Sequence, residues 1–268
     1  MIGLRVAIRI PGGRFEIIPN WKIALFYIFF MPILLRFGFW QIERAEEKTP
    51  LEQDYNQRMQ APPISLQQAM ALSDRAYVRV TLEGQFDNER LMLLDNKIFQ
   101  GRVGYEVIAP FILTSPLSVE TDTKQGQGID YLWVNRGWLA LGESRAQLPQ
   151  VPQIKHQQRI VVGIDLPVGE PFMLADEPYK GQWPEVLQKV DVERMNQRYG
   201  QSSPLQGAPF MVRLAEGSPG QLQMIWQPIN MTPAKHLGYA LQWFTMAFAL
   251  TLLYLYVTLK RIKKDDKK

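Results

Sequence analysis

The sequence predicts a membrane protein in which two transmembrane helices flank an exported α+β domain, mainly antiparallel β and barrel- or sandwich-like. Two observations indicate this: apolar runs lie near both ends of the 268-residue chain, and alternating apolar and polar residues fill the middle. We expect a cytoplasmic basic N-terminus over residues 1–22, transmembrane helices over 23–40 and 236–259, a mainly β domain over 41–235, and a cytoplasmic basic tail over 260–268.

The first apolar run reaches from Ile23 to Trp40 and is interrupted by a single charge, Arg36. As a helix it would span about 27 Å, which suffices for a bilayer if Arg36 extends toward the interface. Pro32 is tolerated in a membrane helix. The alternative, a cleaved signal peptide, fits less well because the run is longer than such a signal and no small-residue cleavage site follows it. We expect an uncleaved anchor.

The second run, Leu237 to Leu259, contains 23 residues without a formal charge. As a helix it would be about 34 Å long, more than the roughly 30 Å of a bilayer's hydrocarbon core. This run therefore predicts a second transmembrane helix.

Basic residues flank both predicted spans on their outer sides: Arg5, Arg9, Arg14, Lys22, Lys260, Arg261, Lys263, Lys264, Lys267 and Lys268. The positive-inside rule then predicts that both termini are cytoplasmic and that the domain is periplasmic, in the inner membrane of a bacterium. The same ends account for the isoelectric point of about 9.2. We expect contact with membrane lipid and no nucleic-acid partner.

The predicted domain contains no cysteine, so neither disulfides nor thiolate metal sites can hold it together. A period of two predicts seven strands separated by Gly, Pro, Asn and Asp: "AYVRVTLEGQF" (76–86), "RLMLLDNKI" (90–98), "GYEVIAPFIL" (104–113), "YLWVNRGWL" (131–139), "RIVVGIDLP" (159–167), "PFMVRL" (209–214) and "QMIWQPI" (223–229). Residues 65–73 and 184–200 look helical, the latter between Pro184 and Gly200. Residues 114–130 look like a hairpin loop.

Signatures of catalysis are missing from the sequence, which has no Gly-rich phosphate loop, zinc-protease helix or serine nucleophile elbow. With only His156 and His236, no multi-histidine metal site can form. His156 lies among Gln, Lys and Pro and is expected to be a solvated loop residue. We therefore expect a protein that is not an enzyme.

Three stretches resemble, in order and position, the Surfeit locus 1 family of cytochrome c oxidase assembly proteins. They are "FGFWQIERAEEK" (37–48), "LWVNRGWL" (132–139) and "HLGYALQWFTMA" (236–247). The strands around "VRVTLEGQF", "GRVGYEVIAPF" and "IVVGIDLP" are also similar to those of the family. One departure is visible: the family often has Asn-Asn before the histidine, where this chain has Ala234 and Lys235, with Asn230 further away.

The resemblance implies an assembly factor that binds or delivers haem a during maturation of the oxidase's catalytic subunit. Implied partners are that subunit and, as a further candidate, haem a synthase. A cofactor-free membrane scaffold for oxidase subunits is the alternative. A haem-modifying enzyme is a weaker one, because the sequence offers no acid/base pair for such chemistry.

The resemblance places the expected haem contact at the start of the second span. His236 would be an axial ligand of the iron, since neutral imidazole commonly binds haem iron. Tyr239 and Trp243 would stack on the macrocycle, and Arg44, with Arg36 or Lys235, would pair with propionates. His236, Ala240, Trp243 and Ala247 share one helix face, where the small residues would admit a flat ligand. The alternative is an aromatic belt at the bilayer boundary.

Two other motifs are expected to serve a partner or the structure. In the first, Gly38 and Trp40 lie near the end of the first span, and Gln41 and Arg44 face the domain or the second helix. In the second, Asn135, Arg136, Gly137 and Trp138 have the chemistry of a bulge or strand end. We expect structural roles for Gly137 and Trp138. For Arg136, contact with a partner is favoured over bonding to loop carbonyls.

Overall fold

The computed structural model describes residues 8–9, 15–17, 20–119, 127–142, 147–165, 179, 181–227, 229 and 231–261. The chain divides into two compact units, one formed by Met1–Asp54 with Pro228–Lys268 and the other by Tyr55–Gln227. Most of the basic flanking residues lie outside the described part of the chain, as does Asn230.

The elements follow one another in this order: β1 (Ile8–Arg9), β2 (Phe15–Ile17), α1 (Trp21–Gln60), β3 (Ile64–Ser65), α2 (Leu66–Met70), β4 (Arg79–Phe86), β5 (Met92–Phe99), β6 (Arg102–Val119), β7 (Gln127–Ala140), β8 (Gln158–Asp165), β9 (Glu185–Leu187), α3 (Val192–Gly200), β10 (Gly207–Leu214), α4 (Pro233–Thr258) and β11 (Leu259–Arg261).

The two long helices confirm the two predicted apolar helices. Their most apolar 18-residue windows have mean hydropathies of 1.9 in α1 and 1.5 in α4, and both helices are long enough to cross a bilayer, which fits a membrane protein. Thr232 caps the N-terminus of α4 and Pro233 occupies its first turn, so this helix begins before the apolar run.

Helix α1 continues well beyond Trp40, where we expected the first span to end and the β domain to begin. The segment from Gln41 to Gln60 is rich in Glu and Gln, which favour helix, and an Arg44–Glu47 ion pair of 2.6 Å joins residues one turn apart. These residues are therefore helical, and the first strand of the β-rich unit begins only at Ile64.

Short strands also occur in the flanks, for which we predicted no secondary structure. β1, β2 and β11 form a three-stranded antiparallel sheet in that order. The chain segments before α1 and after α4 therefore pair with each other.

The β-rich unit is built on a closed barrel, in agreement with the predicted fold class. Hydrogen-bonded neighbours run β4–β8–β10–β7–β6, and a further pairing of β6 with β4 closes the ring of five strands. β5 and then β9 extend the sheet from β6, and β3 lies beside β4. Most pairs are antiparallel, but β7–β10, β3–β4 and β5–β9 are parallel. At the closure, a side chain on Gly84 would collide with the carbonyl of Ile112.

Strand β7 buries both of its faces. Leu132 and Val134 belong to the main core cluster with residues of the other barrel strands, while Tyr131 and Trp133 pack with α3. Asn196 of α3 fixes this packing, because its Oδ1 accepts hydrogen bonds from Tyr131 Oη at 2.8 Å and Trp133 Nε1 at 2.9 Å. Because successive side chains of a strand point to opposite faces, β7 contributes to the barrel core on one face and to the cluster with α3 on the other.

Helix α2 confirms the expected helix at residues 65–73 in a shorter form. Ser65 and Gln68 make a capping box, each side chain accepting a hydrogen bond from the other's backbone N–H. Leu66 and Ala69 pack in the core cluster with the barrel strands.

Three expected elements differ from the structure. Residues 184–200 are not one helix, because Glu185–Leu187 pair with β5 and Asp191 caps a helix that begins only at Val192. Residues 223–229 form no strand among those described, and Gln223 makes only an isolated bridge to Trp138. The expected loop at 114–130 is shorter, since β6 reaches Val119 and β7 starts at Gln127; residues 120–126 lie outside the description.

Asp87 joins the end of β4 to α3 through a buried carboxylate. Its Oδ1 accepts from the N–H groups of Glu89 and Arg90, and its Oδ2 accepts from Arg90 Nη1 at 2.7 Å and Tyr199 Oη at 3.1 Å. Burial alone would raise the pKa of Asp87, but these hydrogen bonds outweigh burial and lower it below its ordinary value.

We expect Asp87→Asn to lower the free energy of unfolding at pH 7 by about 2 kcal/mol, because it removes a charge-assisted hydrogen bond to Arg90. A lowered native pKa stabilises the fold above the unfolded-state pKa of about 3.9, and this contribution is lost as pH falls through the native pKa. The difference between the two proteins should therefore shrink in acid. Urea unfolding followed by tryptophan fluorescence measures it.

The matched control is Asp130→Asn, which alters one hydrogen bond, from the N–H of Gln206. It should cost clearly less than Asp87→Asn. Equal losses for the two variants, or a difference that does not depend on pH, would contradict the role given to Asp87.

Candidate functional site

The two apolar helices meet along a seam of buried small and polar residues. Gly38, Gln41 and Ala45 are buried on α1, and the buried residues of α4 include His236, Ala240 and Ala247. Aromatic pairs join the helices along this seam: Phe37 stacks on Trp243 at 4.9 Å, and Tyr27 stacks on Tyr254 at 4.5 Å.

Gly38 allows a close approach of the two helices. A Cβ at this position would lie 2.6 Å from the ring of Phe244, closer than van der Waals contact permits. Small residues at membrane helix interfaces commonly serve this purpose, because packing rather than the hydrophobic effect holds such helices together. The glycine of the first motif is thus explained by packing.

His236 and Gln41 make a buried hydrogen bond between the helices. The distance from His236 Nδ1 to Gln41 Oε1 is 2.7 Å, and the residues are 6% and 8% exposed. Because a carbonyl oxygen only accepts, Nδ1 is the donor and carries a proton, and Nε2 keeps its lone pair in the corresponding imidazole tautomer. None of the residues that the structure describes hydrogen-bonds to Nε2. The imidazole is thus oriented by one nitrogen and has the other available as a ligand.

The structure brings together only some of the residues expected at a haem contact. Trp243 is half-buried beside Phe37 on the same seam as His236. Tyr239 is 44% and Trp40 is 38% exposed, so both lie away from the seam. Arg44 lies 5.7 Å over the Trp40 ring and bonds Glu47.

The small residues on the His236 face of α4 do not form the open surface that we expected. Ala240 is 3% and Ala247 is 4% exposed, and the α1 residues of the seam pack on this side of α4. Gln41 faces the second helix, which is one of the two orientations expected for it, but its contact with His236 was not predicted. Its signal was a polar residue beside each apolar run, and such residues often pair across membrane helices.

The "VNRGW" motif is a β-bulge in β7. Val107 pairs with Gly137 and Ile108 with Asn135, so Arg136 has no counterpart on β6. Gly137 has φ +112°, a conformation that favours glycine, and its N–H donates to Asn135 Oδ1 at 2.9 Å. The predicted bulge chemistry of Asn135 and Gly137 is thus visible in the backbone.

Arg136 is 1% exposed and bonds loop carbonyls. Its Nε donates to Gly220 O at 3.0 Å, and its Nη2 donates to Pro152 O at 2.9 Å. Burial lowers the pKa of Arg136 to about 10, so the guanidinium stays charged at neutral pH. This geometry favours bonding to loop carbonyls over contact with a partner, because the Arg136 side chain is buried.

Trp138 completes the motif as a packing residue. Its ring is 8% exposed, lies 5.5 Å from Phe99, and donates from Nε1 to Lys97 O at 3.0 Å. His156, in contrast, is exposed in the loop before β8.

Gly137→Ala should lower the free energy of unfolding by about 2 kcal/mol, because the backbone conformation is unfavourable for alanine. The new Cβ would also lie 2.8 Å from Gln223 O. Gly128→Ala in the same strand is the control, since its Cβ would lie 3.9 Å from the nearest atom, Leu117 O. Chemical denaturation of both variants measures the difference. Similar losses at the two positions would show that the bulge does not require glycine.

The fold and the helix seam define a class: a protein in which two apolar helices, near the two ends of the sequence, flank a central β-barrel unit. The model of the SURF1 family matches residues 28–248, and the chain belongs to this family. It is 22% identical over 242 residues to an uncharacterised SURF1-like protein of Mycobacterium bovis, covering 88% of this chain and 82% of that protein.

Two further relatives come from distant organisms. A SURF1-like protein of Rickettsia felis is 24% identical over 242 residues, with 87% of this chain and 95% of the relative covered. One of Dictyostelium discoideum is 23% identical over 286 residues, with 85% and 94% covered. The similarity therefore extends across both apolar helices and the barrel unit.

Proposed function

We propose that this protein is an assembly factor for cytochrome c oxidase and that it binds haem a through His236 during maturation of the catalytic subunit. The SURF1 family is known for oxidase assembly and is not an enzyme family. The observation that carries the haem proposal is the hydrogen bond between His236 Nδ1 and Gln41 Oε1.

This hydrogen bond suits a metal-binding histidine. Histidines that ligate metals nearly always donate their other N–H to an oxygen acceptor, which fixes the tautomer and raises the basicity of the ligating nitrogen. Gln41 supplies such an acceptor and leaves Nε2 of His236 as the ligating atom. When bound, haem a would supply an iron that accepts an axial imidazole. His236 would hold it, and Gln41 would orient His236.

The other expected contacts differ in how well they suit a haem group. Tyr239 is exposed and can stack on a ring, whereas Trp243 is already stacked on Phe37. Arg44 already pairs with Glu47, so a propionate would have to compete with that carboxylate. Arg44 would therefore stabilise a haem propionate less than an unpaired arginine would.

The remaining parts of the proposal concern place and partners. We propose that the helices cross the inner membrane of a bacterium, with both termini cytoplasmic and the barrel unit periplasmic. The catalytic subunit of the oxidase is the proposed recipient of haem a, and haem a synthase is the proposed donor. Periplasmic exposure is compatible with a chain that has no cysteine to oxidise.

A cofactor-free scaffold is the second candidate, and the same contact favours it. An interhelical hydrogen bond in a membrane is a stabilising interaction of about 0.6–2 kcal/mol, so His236 and Gln41 would hold the helices together without any ligand. The tight packing of Gly38 against Phe244 agrees with this role.

His236→Asn separates the two candidates. The asparagine amide nitrogen occupies the position of Nδ1 and still donates to Gln41, but nothing replaces Nε2. If His236 is a haem ligand, the purified protein from cells that make haem a loses or shifts its absorption spectrum, and oxidase assembly falls. His236→Ala should give the same result and also weaken the helix pair.

His156→Ala is the control, since this exposed histidine lies in a loop of the barrel unit. Its spectrum and its support of oxidase assembly should be those of the unaltered protein. Normal haem binding and normal oxidase assembly in the His236→Asn variant would contradict the proposal that His236 ligates haem and would favour the cofactor-free scaffold.

Gln41→Leu tests the orienting role of Gln41. The variant keeps the ligating histidine, so it should still bind haem a, with about 10- to 100-fold lower affinity. Its haem reduction potential should rise, because an imidazole without a hydrogen-bonded N–H stabilises ferric iron less. A redox titration of the purified holoprotein measures this. Lower affinity with an unchanged potential would indicate that Gln41 only packs.

A further inference from the structure

The barrel unit has a pocket on its outer surface beside β8. Its volume is about 160 Å³, and its walls are aromatic, apolar and charged side chains from α1, the segment before β4, β8, β10 and the segment after β10. Gly163 lies in the pocket lining, between inward-facing Val162 and Ile164, so its own side would point outward. A Cβ on Gly163 would meet nothing within 4 Å. The missing side chain therefore leaves space for a ligand.

Three aromatic rings form one wall of the pocket. Tyr55 and Tyr77 meet edge to face at 5.2 Å, and Trp226 lies 5.6 Å from Tyr77 and 6.0 Å from Tyr55. All three are half-buried, so part of each ring remains accessible. Aromatic rings at these distances offer faces and edges on which another ring packs favourably.

Tyr77 holds its place at an energetic cost. Its φ is +60°, a left-handed conformation that is a true outlier for a bulky residue and costs about 1–3 kcal/mol. The N–H of Tyr77 donates to Ile164 O at 2.8 Å, which fixes the residue beside β8. Strained residues of this kind concentrate at ligand sites, and this one builds a wall of the pocket.

Three charged residues line the pocket: Asp165 and Arg213 pair with each other, and Glu216 is exposed. Arg213 stacks over Trp226 at 4.5 Å, its Nε lies 2.8 Å from Asp165 Oδ2, and its Nη1 donates to Glu106 Oε1 at 3.4 Å. Lys97 Nζ lies 3.5 Å from Glu106 Oε2. Two carboxylates thus face two cations. Burial raises the pKa of Asp165 above its usual value.

These features select the ligand. A cavity of about 150 Å³ takes one benzene-sized ring, and aromatic walls favour stacking. An added cation would meet Arg213, and an added anion would meet Asp165 and Glu216, so a neutral group fits best. Within the described residues no hydrogen bond reaches Asp165 Oδ1, which is thus an acceptor for a ligand. We propose that this pocket binds a neutral single aromatic ring carrying a hydrogen-bond donor, as in a phenol.

Methyl groups of methionine provide the test, because Met59 and Met224 line the pocket. The full chain, labelled with ¹³C at its methionine methyls and held in detergent, is titrated with p-cresol and with toluene at free concentrations fixed by dialysis. Met59→Leu and Met224→Leu assign the two signals. Both should shift with p-cresol, and p-cresol should bind at least about tenfold more tightly than toluene, which lacks the donor.

Two substitutions test the position. Gly163→Val fills the pocket and should abolish the shifts, whereas Gly128→Val, the same change in β7 away from the pocket, should leave them intact. Tyr55→Ala leaves the barrel strands unchanged and should weaken p-cresol binding at least fivefold. It serves as the second variant where the Gly163→Val spectrum shows loss of folding.

A phenol ring occurs both in free small molecules and in tyrosine side chains of polypeptides. N-acetyltyrosine amide distinguishes the two: shifts with it as large as with p-cresol indicate a polypeptide, and shifts with p-cresol alone indicate a free phenol. The proposal is wrong if neither probe moves the Met59 and Met224 signals, if toluene binds as well as p-cresol, or if a folded Gly163→Val protein still binds.

Discussion

The β-rich unit depends on the pairing of β6 with β4, which closes the barrel. Without cysteine, only core packing and strand pairing can hold this unit together. β6 is long enough to pair with β4, β5 and β7, and the closure needs Gly84, where a side chain would collide with the partner strand. Closure removes the open edges of the ring and creates an inside that must be filled with apolar side chains. Each barrel strand therefore has an inner face that fills the core and an outer face that is available for other contacts.

The outer face of the barrel carries the contacts to α3 and the pocket beside β8. On β7, residues that point away from the barrel core pack under α3, and the bulge at Arg136 changes which side chains point outward. On β8, the same alternation places Gly163 and Asp165 outside while Ile164 fills the core. Charged residues outside the barrel are paired, as Arg213 is with Asp165 and Glu106. A barrel with an ordinary core thus leaves its outer surface free to carry specific sites.

Local sequence patterns predicted the helices and strands whose burial shows in their own residues. They missed elements and contacts that depend on residues far away in the sequence. The apolar run from Leu237 predicted α4 and the alternation around Val80 predicted β4, because burial of one face or of a whole helix shows in the residues themselves. Residues 185–187 were predicted as helix, but pairing with β5 makes them a strand. The parallel pairing of β7 with β10 has no local signal. The contact of Gln41 with His236, 195 residues apart, has only a general one, a polar residue beside each apolar run. The bulge was predictable because glycine and asparagine mark unusual backbone conformations.

The choice of histidine at position 236 carries information beyond the hydrogen bond that it makes. If joining two membrane helices were the whole task, a serine or threonine would satisfy Gln41 and bring fewer polar atoms into the seam. Histidine brings a second ring nitrogen, Nε2, which receives no hydrogen bond from a described residue and is not fully buried in the seam. This accessible nitrogen takes no part in joining the helices, and it supports the ligand role that we propose for His236. Gln41 holds the ring in the tautomer that the proposed coordination by Nε2 requires.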